Sequence, residues 1–338
     1  MNDVTAIGSI TRDNFLVLDY EVIKWPKAPL GKAILFPLGE KIEVQEVVST
    51  IGGNSANASA TFSRQGFRAA CFGKVGNDLL GKEIQARLKK EKVTPLLAIS
   101  KTLPTASSVL LLKNGERTIL GYHGASNTLG TKDIPWSKLK SRWWYLSLAG
   151  GSDVLLRPLL VFAKKNNIQV AFNPSGYHLT HHREEIIASL SSLTFLVLNA
   201  GEAAQLTGID FHNEQSVFQK LDAMTPGIVA VTDGPKGVTV SDGKNIYQAG
   251  VFQEKKLVDR TGAGDAFGSG FVAGLMLRQK QSRRKEFTSE DIQYAIRLAT
   301  ANATAVVEQI GATEGVLTKA QFLKSPQFQS LSIDIRPL

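Results

Sequence analysis

Through most of its length the chain repeats one unit: a short apolar run, rich in β-branched and aromatic residues, followed by a longer amphipathic stretch. Such runs occupy residues 4–8, 69–73, 143–148, 169–173, 195–199, 228–232 and 237–241. Apolar runs of strand length, spaced so that a crossover fits between them, are the pattern of βαβ units and a parallel sheet. The amphipathic segments 80–90, 266–277 and 289–308 are predicted helices. Three of the runs end in a polar side chain, Asn173, Asn199 and Thr232. Open parallel sheets bind ligands at that carboxyl-terminal edge, so the chemistry is expected there.

Two stretches break the rhythm. Residues 13–49 and 105–121 read as extended, alternating segments with Pro and Gly turns. Within the second, the run from Thr105 to Leu112 and the run from Arg117 to Leu120 flank Asn114-Gly115, a strong hairpin signal. The expectation is a small β-sheet inserted into the α/β domain, placed to close over substrate as a lid. Residues 1–12, 46–100 and 123–325 are assigned to the main domain, and 13–45 and 101–122 to the lid.

Composition removes several classes of protein. A 43% hydrophobic fraction with 20% charged residues excludes a disordered chain. The longest apolar stretches fall short of the ~18 residues that a membrane span needs, so no membrane partner is expected. The net charge of +9 is dispersed, and its densest cluster, from Arg278 to Lys285, carries no aromatic platform. Nucleic-acid binding is therefore not expected. The start, Met1-Asn2-Asp3-Val4, lacks a basic-then-apolar leader, and the single cysteine, Cys71, lies in an apolar run. A cytoplasmic protein with a buried, unreactive thiol is the reading.

The segment Asp259-Arg260-Thr261-Gly262-Ala263-Gly264-Asp265-Ala266-Phe267 opens an apolar helix. Small residues at 262–264 let a backbone approach a ligand, and free N–H groups at a helix start suit a phosphate. A carboxylate at Asp265 would repel that anion unless it had a task, such as accepting a proton from an attacking hydroxyl. The residues alone allow an ordinary capped helix equally well. A second glycine pair, Gly52-Gly53, leads into Asn54 and Asn57, whose amides donate and accept as polyol hydroxyls require. Glu202, after Asn199, is a candidate outer-sphere Mg²⁺ ligand, or else a carboxylate in the first turn of a helix. The turn Thr232-Asp233-Gly234-Pro235-Lys236-Gly237 offers backbone to a nucleotide. There is no Gly-x-x-x-x-Gly-Lys-Ser/Thr loop, and the five histidines show no zinc spacing with cysteine. Gly262-Ala263-Gly264 followed by Gly268 is discounted as a dinucleotide fingerprint, because it lies late in the chain and follows a polar segment.

Together these segments resemble the ribokinase (PfkB-type) family of carbohydrate and nucleoside kinases, from Gly8 to about Gly315 and in family order. Asp259 to Phe267 is similar to the family's signature Asp-Thr-x-Gly-Ala-Gly-Asp-x-Phe, and Asn199-x-x-Glu202 to its Asn-x-x-Glu motif. The resemblance implies a three-layer α/β/α fold with a mostly parallel sheet and an inserted β-lid. It implies Asp265 as catalytic base and the amides of Gly262, Ala263 and Gly264 as the anion hole. Asp13, Gly52, Gly53 and Asn57 would hold acceptor hydroxyls, with Asn54 at a position that varies with substrate. Asn199, Thr232, Gly234, Gly237 and Asn302 would line the ATP site, and Glu202 would act on Mg²⁺ through water. Asp259 and Thr261 match positions that help bind a monovalent cation, K⁺, in some members.

Two departures matter. Arg260 stands where the family often has Thr or a small residue; it touches the acceptor or a phosphate, or it faces solvent, and the last is the preferred reading. Where ribokinase proper offers a glutamate to the sugar, this chain has Leu146-Ser147-Leu148-Ala149-Gly150-Gly151. A sugar is preferred as acceptor. A nucleoside is the alternative, with Phe15, Trp25, Phe36 or Tyr122 supplying a slot for its base. A non-catalytic nucleotide- or sugar-binding regulator on the same fold is a second alternative, and an NAD-dependent dehydrogenase a weaker one. A homodimer through the lid strands is left open against a monomer.

Overall fold

The computed structural model describes residues 1–28, 31–113, 115–282, 284 and 286–338. Its main sheet has ten strands. From one edge, Thr94–Ser100, Ala69–Gly76, Val4–Gly8, Trp143–Ser147, Gln169–Phe172, Phe195–Asn199 and Ile228–Thr232 run parallel. Val238–Ser241, Asn245–Ala249 and Ile333–Pro337 extend the other edge antiparallel. The central strands are mostly apolar and almost wholly buried because helices cover both faces, as parallel sheets require. Trp143, Tyr145, Phe195 and Val197 join the core under the helices Asn54–Arg64, Ala263–Ser282 and Ser289–Val307. Trp144, Leu146, Leu196 and Leu198 join the core under Leu156–Lys165, Ala200–Thr207 and Glu214–Met224 on the opposite face. This is the expected three-layer arrangement.

The lid is a separate four-stranded sheet, ordered Glu46–Gly52, Thr11–Val17, Ser107–Lys113 and Glu116–Tyr122. A two-stranded ribbon, Glu21–Lys24 with Lys32–Leu35, is appended to it. The sequence division shifts in two places: Glu46–Gly52 pairs inside the lid sheet rather than the main one, and Ile333–Pro337 lies in the main sheet beyond 325. The hairpin at 107–122 forms, with Gly115 at φ 79°; Asn114, the other turn residue, lies outside the described residues. Phe15 packs with Leu110 and Leu112 on one lid face, while Tyr20 and Phe36 meet edge to face on the other. Cys71 is buried in the main core, which pushes its thiol up to about 11. Among the described residues no helix is long and apolar enough to cross a membrane.

Candidate active site

Two helices begin at the sheet edge with a glycine in the left-handed region, Gly53 at φ 87° and Gly262 at φ 80°. Gly262 precedes the helix Ala263–Ser282, and a Cβ there would sit 2.3 Å from the Ala312 Cβ, so the position accepts glycine alone. The first N–H groups of a helix have no intrahelical acceptor. Here Ala263 N makes only a long 3.4 Å bond to the Arg260 carbonyl, Ala263 and Gly264 line a cavity, and a Cβ on the exposed Gly264 would meet nothing within 4 Å. The geometry fits an anion brought against the backbone of 262–264.

Asp265 is the third residue of that helix. Its carboxylate accepts a hydrogen bond from Asn57 Nδ2 at 2.9 Å, and its carbonyl accepts one from Ser269 Oγ at 2.5 Å. Part of its surface opens on the cleft, but surrounding protein withdraws enough water to raise its pKa to about 6. Asn57 opposes that rise and the charge of Asp13 adds to it. A carboxylate titrating close to neutrality takes a proton from an alcohol better than an ordinary one, while still being ionised at pH 7.

The other glycine-led helix supplies the facing wall. Gly53 lies so near Ser9 and Ile10 that a Cβ would come within 2.6 Å of both backbones. The N–H groups of this helix start are already taken: Asn54 N donates to Ser9 Oγ and Ser55 N to the Ser9 carbonyl. The side chains therefore carry what binding capacity the start has. Asn54 Nδ2 donates to Ser147 Oγ at 2.8 Å, and Ser147 in turn donates to the Asn173 carbonyl. Asn57 Oδ1 is buried with no donor, an open acceptor beside Asp265. Asp13 lies against Gly52, where a Cβ would stand 1.9 Å from its Oδ2. Burial raises the Asp13 carboxyl, hydrogen bonds from Thr11 and Ser108 oppose the rise, and the charge of Asp259 reinforces it.

On the far side of Gly264 lies a cavity of about 370 Å³. Asn199, Thr232, Gly234 and Gly237 line it, as the resemblance implies, together with Val251, Phe252 and Leu257, an apolar wall that no sequence signal announced. Arg260 also lines it, so its side chain does not simply face solvent. Asn302 does not line it. That residue is fully buried, with Nδ2 donating to the Ala266 carbonyl and Oδ1 accepting from Leu317 N, so its amide ties helices together below the site. Its neighbours Thr300 and Ala303 are the ones on the cavity wall.

Glu202 forms a reciprocal cap with Asn199, each accepting from the other's backbone N–H, at 2.9 and 2.8 Å. Burial raises its carboxyl, Asn199 pulls it down, and the nearby charge of Asp265 raises it again. Glu202 and Asp265 are close enough for one charge to raise the other, a pair of carboxylates that would suit a hydrated Mg²⁺. Among the described residues no three acidic, His or Cys side chains converge, so such an ion would be held through water and phosphate oxygens. The buried Asp259 carboxylate accepts from Thr261 N and Thr261 Oγ1, at 2.9 and 2.7 Å, and from Gly311 N. Those bonds order the loop into the cradle, and a monovalent cation there would need backbone carbonyls as further ligands.

The lid aromatics offer little to a flat base. Phe15 is core and Phe36 is packed on Tyr20, while Trp25 and Tyr122 are about half exposed on the lid surface. Tyr145, unforeseen from the sequence, puts a buried hydroxyl without a partner against Gly268, where a Cβ would lie 2.4 Å from it.

Comparison with known proteins bears on the family and the fold. The family described as pfkB family carbohydrate kinase matches residues 28–319. Ribokinase of Haemophilus influenzae is 26% identical over 337 residues, covering 95% of this chain and 97% of that protein. Adenosine kinase of Saccharomyces cerevisiae is 24% identical over 304 residues, covering 84% and 85%. The structure of Arabidopsis thaliana ribokinase complexed with ribose and ATP superposes with a TM-score of 0.74 at 21% identity, covering 98% of this chain and 99% of that one.

Proposed function

The chain belongs to the pfkB family of carbohydrate kinases, and on that premise we propose that it transfers the terminal phosphoryl group of ATP to a hydroxyl of a neutral sugar. The observation carrying this reading is the placement of Asp265, with its pKa raised to about 6, directly after Gly264, whose backbone has open space beside it at the cavity. The nucleotide would occupy the cavity beyond Gly264, with its phosphates against that backbone. The acceptor would lie under the lid against Asp13, Asn54 and Asn57. Asp265 takes the hydroxyl proton as the oxygen attacks, while the amides of 262–264 hold the charge gathering on the phosphoryl oxygens. Mg²⁺, when bound, supplies charge neutralisation for the phosphates, and Glu202 is placed to orient its waters. Lid closure excludes water, which would otherwise compete as acceptor.

The charge of the acceptor side supports a neutral acceptor. Asp13, Asp259 and Asp265 each lie close enough to another member of the set for one to raise the next. A sugar phosphate or sugar acid would enter that field at a cost. A nucleoside is the second reading, favoured by the adenosine kinase relative. The test is ATP consumption with Mg²⁺ and K⁺ against a panel of free sugars, nucleosides, sugar acids and sugar phosphates. Turnover of one neutral sugar supports the proposal. Turnover confined to a sugar phosphate or acid contradicts the neutral-acceptor reading, and ATP binding without any turnover moves the regulatory-protein reading forward.

A further inference from the structure

Arg260 is the charged residue of the signature segment that the proposed reaction leaves without a task. Its surroundings give it one. It is the single cation among the described residues lining the nucleotide cavity, which otherwise presents backbone, apolar side chains, the neutral polar side chains of Asn199, Thr232, Thr300 and Thr304, and the carboxylate of Glu254. Its Nε is buried and has no hydrogen-bond acceptor. The nearest carboxylate oxygen, Glu116 Oε1, stands 4.0 Å away, too far for a hydrogen bond. Glu116 is the residue after the lid's hairpin turn, and the preceding residue, Gly115, forms a β-bridge with Asp259. A Cβ on Gly115 would meet the Leu257 side chain at 3.1 Å, and Leu257 is itself a wall of the cavity. The lid tip therefore rests on the segment that leads into the anion cradle, and Arg260 lies beside that contact.

We propose that Arg260 binds the terminal phosphates of the nucleotide and at the same time holds the lid hairpin through Glu116. A guanidinium has five donors in a planar fork, so one group can serve a carboxylate on one side and a phosphate oxygen on the other. A phosphate pulling on the guanidinium orders it and offers Glu116 a fixed partner. A docked hairpin holds the guanidinium toward the phosphates. Nucleotide binding and lid docking then reinforce one another, although the lid covers the acceptor side of the cleft.

The inference rests on the nucleotide cavity assigned above, and its test separates the two. The full chain is titrated calorimetrically with the non-hydrolysable analogue AMP-PNP plus Mg²⁺, and separately with AMP, which lacks the terminal phosphates. Arg260→Gln is expected to weaken AMP-PNP about tenfold and to leave AMP unchanged, the size of one charge-assisted contact. Glu116→Gln, at an exposed position where misfolding is no concern, is expected to weaken AMP-PNP by roughly twofold to threefold in the native background and not at all beside Arg260→Gln, because coupled residues are non-additive. Equal AMP-PNP affinity in Arg260→Gln overturns the proposal, as does an equal loss for AMP, or a Glu116→Gln effect that persists without the arginine. If the native chain binds neither nucleotide, the cavity assignment itself fails and the role of Arg260 falls with it.

Discussion

The helix starts at Asn54 and Ala263 are built from the same device and end up doing different things. Each follows a glycine with φ near 85°, at 87° and 80°, on the same edge of the site. At the first, Ser9 accepts from the Asn54 and Ser55 amides through its hydroxyl and its carbonyl, so the backbone is filled by protein. At the second, Ala263 N makes only a long 3.4 Å bond to the Arg260 carbonyl, and there is free space off Gly264 with Arg260 alongside. A helix N-terminus is thus an anion site only where nothing in the fold has already taken its N–H groups. Where they are taken, recognition passes to side chains, and Asn54 and Asn57 suit hydroxyls rather than phosphates.

The largest effect should come from the carboxylate that sits between the two. Asp265→Asn keeps the shape and removes the base, and turnover is expected to fall by ~10³-fold to 10⁴-fold with AMP-PNP affinity little changed. Turnover within tenfold of native would break the assignment of the base.

Next in size are paired glycine changes that set the starts against each other. Gly264→Ala has room in the structure and improves helix propensity, so the melting temperature should hold or rise slightly. Its methyl, however, stands where a phosphate must approach, and KM for ATP should rise by about tenfold or more. Gly53→Ala forces a Cβ into the Ser9–Ile10 backbone at an unfavourable φ, and should cost roughly 1–3 kcal/mol of stability. The comparison fails if the two variants show the same profile.

The smallest effect is a shift in pH dependence. Asp265 must be ionised to act, so kcat/KM should climb through about pH 6 and level off above it. The raised pKa also means that the folded state holds this proton more tightly than the unfolded one. Its contribution to stability therefore declines as pH rises between the ordinary carboxylate range and about 6. Asn57→Ala removes the bond that favours the charged form and should move the acid limb of the rate profile to higher pH. Asp13→Asn removes a neighbouring charge and should move it to lower pH. Shifts in the opposite sense would show that other groups set the profile.

How much of this could be read beforehand varies with what the residues do. The buried parallel strands were legible because burial on both faces leaves plain apolar runs, as in 143–147 and 195–198. The edge strands Thr94–Ser100 and Ile333–Pro337 were not, since half-exposed edges carry mixed composition and tolerate Pro95 and Pro337. The two helix starts were legible as glycine pairs, but the filling of the first by Ser9 was not, and nothing local announces that contact. Asn302 was misplaced for a related reason. Sequence puts it on the helix behind the site, and only packing shows it turned toward Ala266 and Leu317 while Thr300 and Ala303 face the cavity. The approach of Glu116 to Arg260 joins residues far apart in the chain and leaves no pattern in either segment.

The contrast between the two helix starts can be observed directly in backbone amide NMR spectra of ¹⁵N-labelled protein, recorded as AMP-PNP and Mg²⁺ are added. The amides of Gly262, Ala263 and Gly264 should shift strongly, while those of Asn54 and Ser55, already bonded to Ser9, should stay in place. Shifts at 54 and 55 with no change at 262–264 would put the phosphates on the wrong helix and contradict the account.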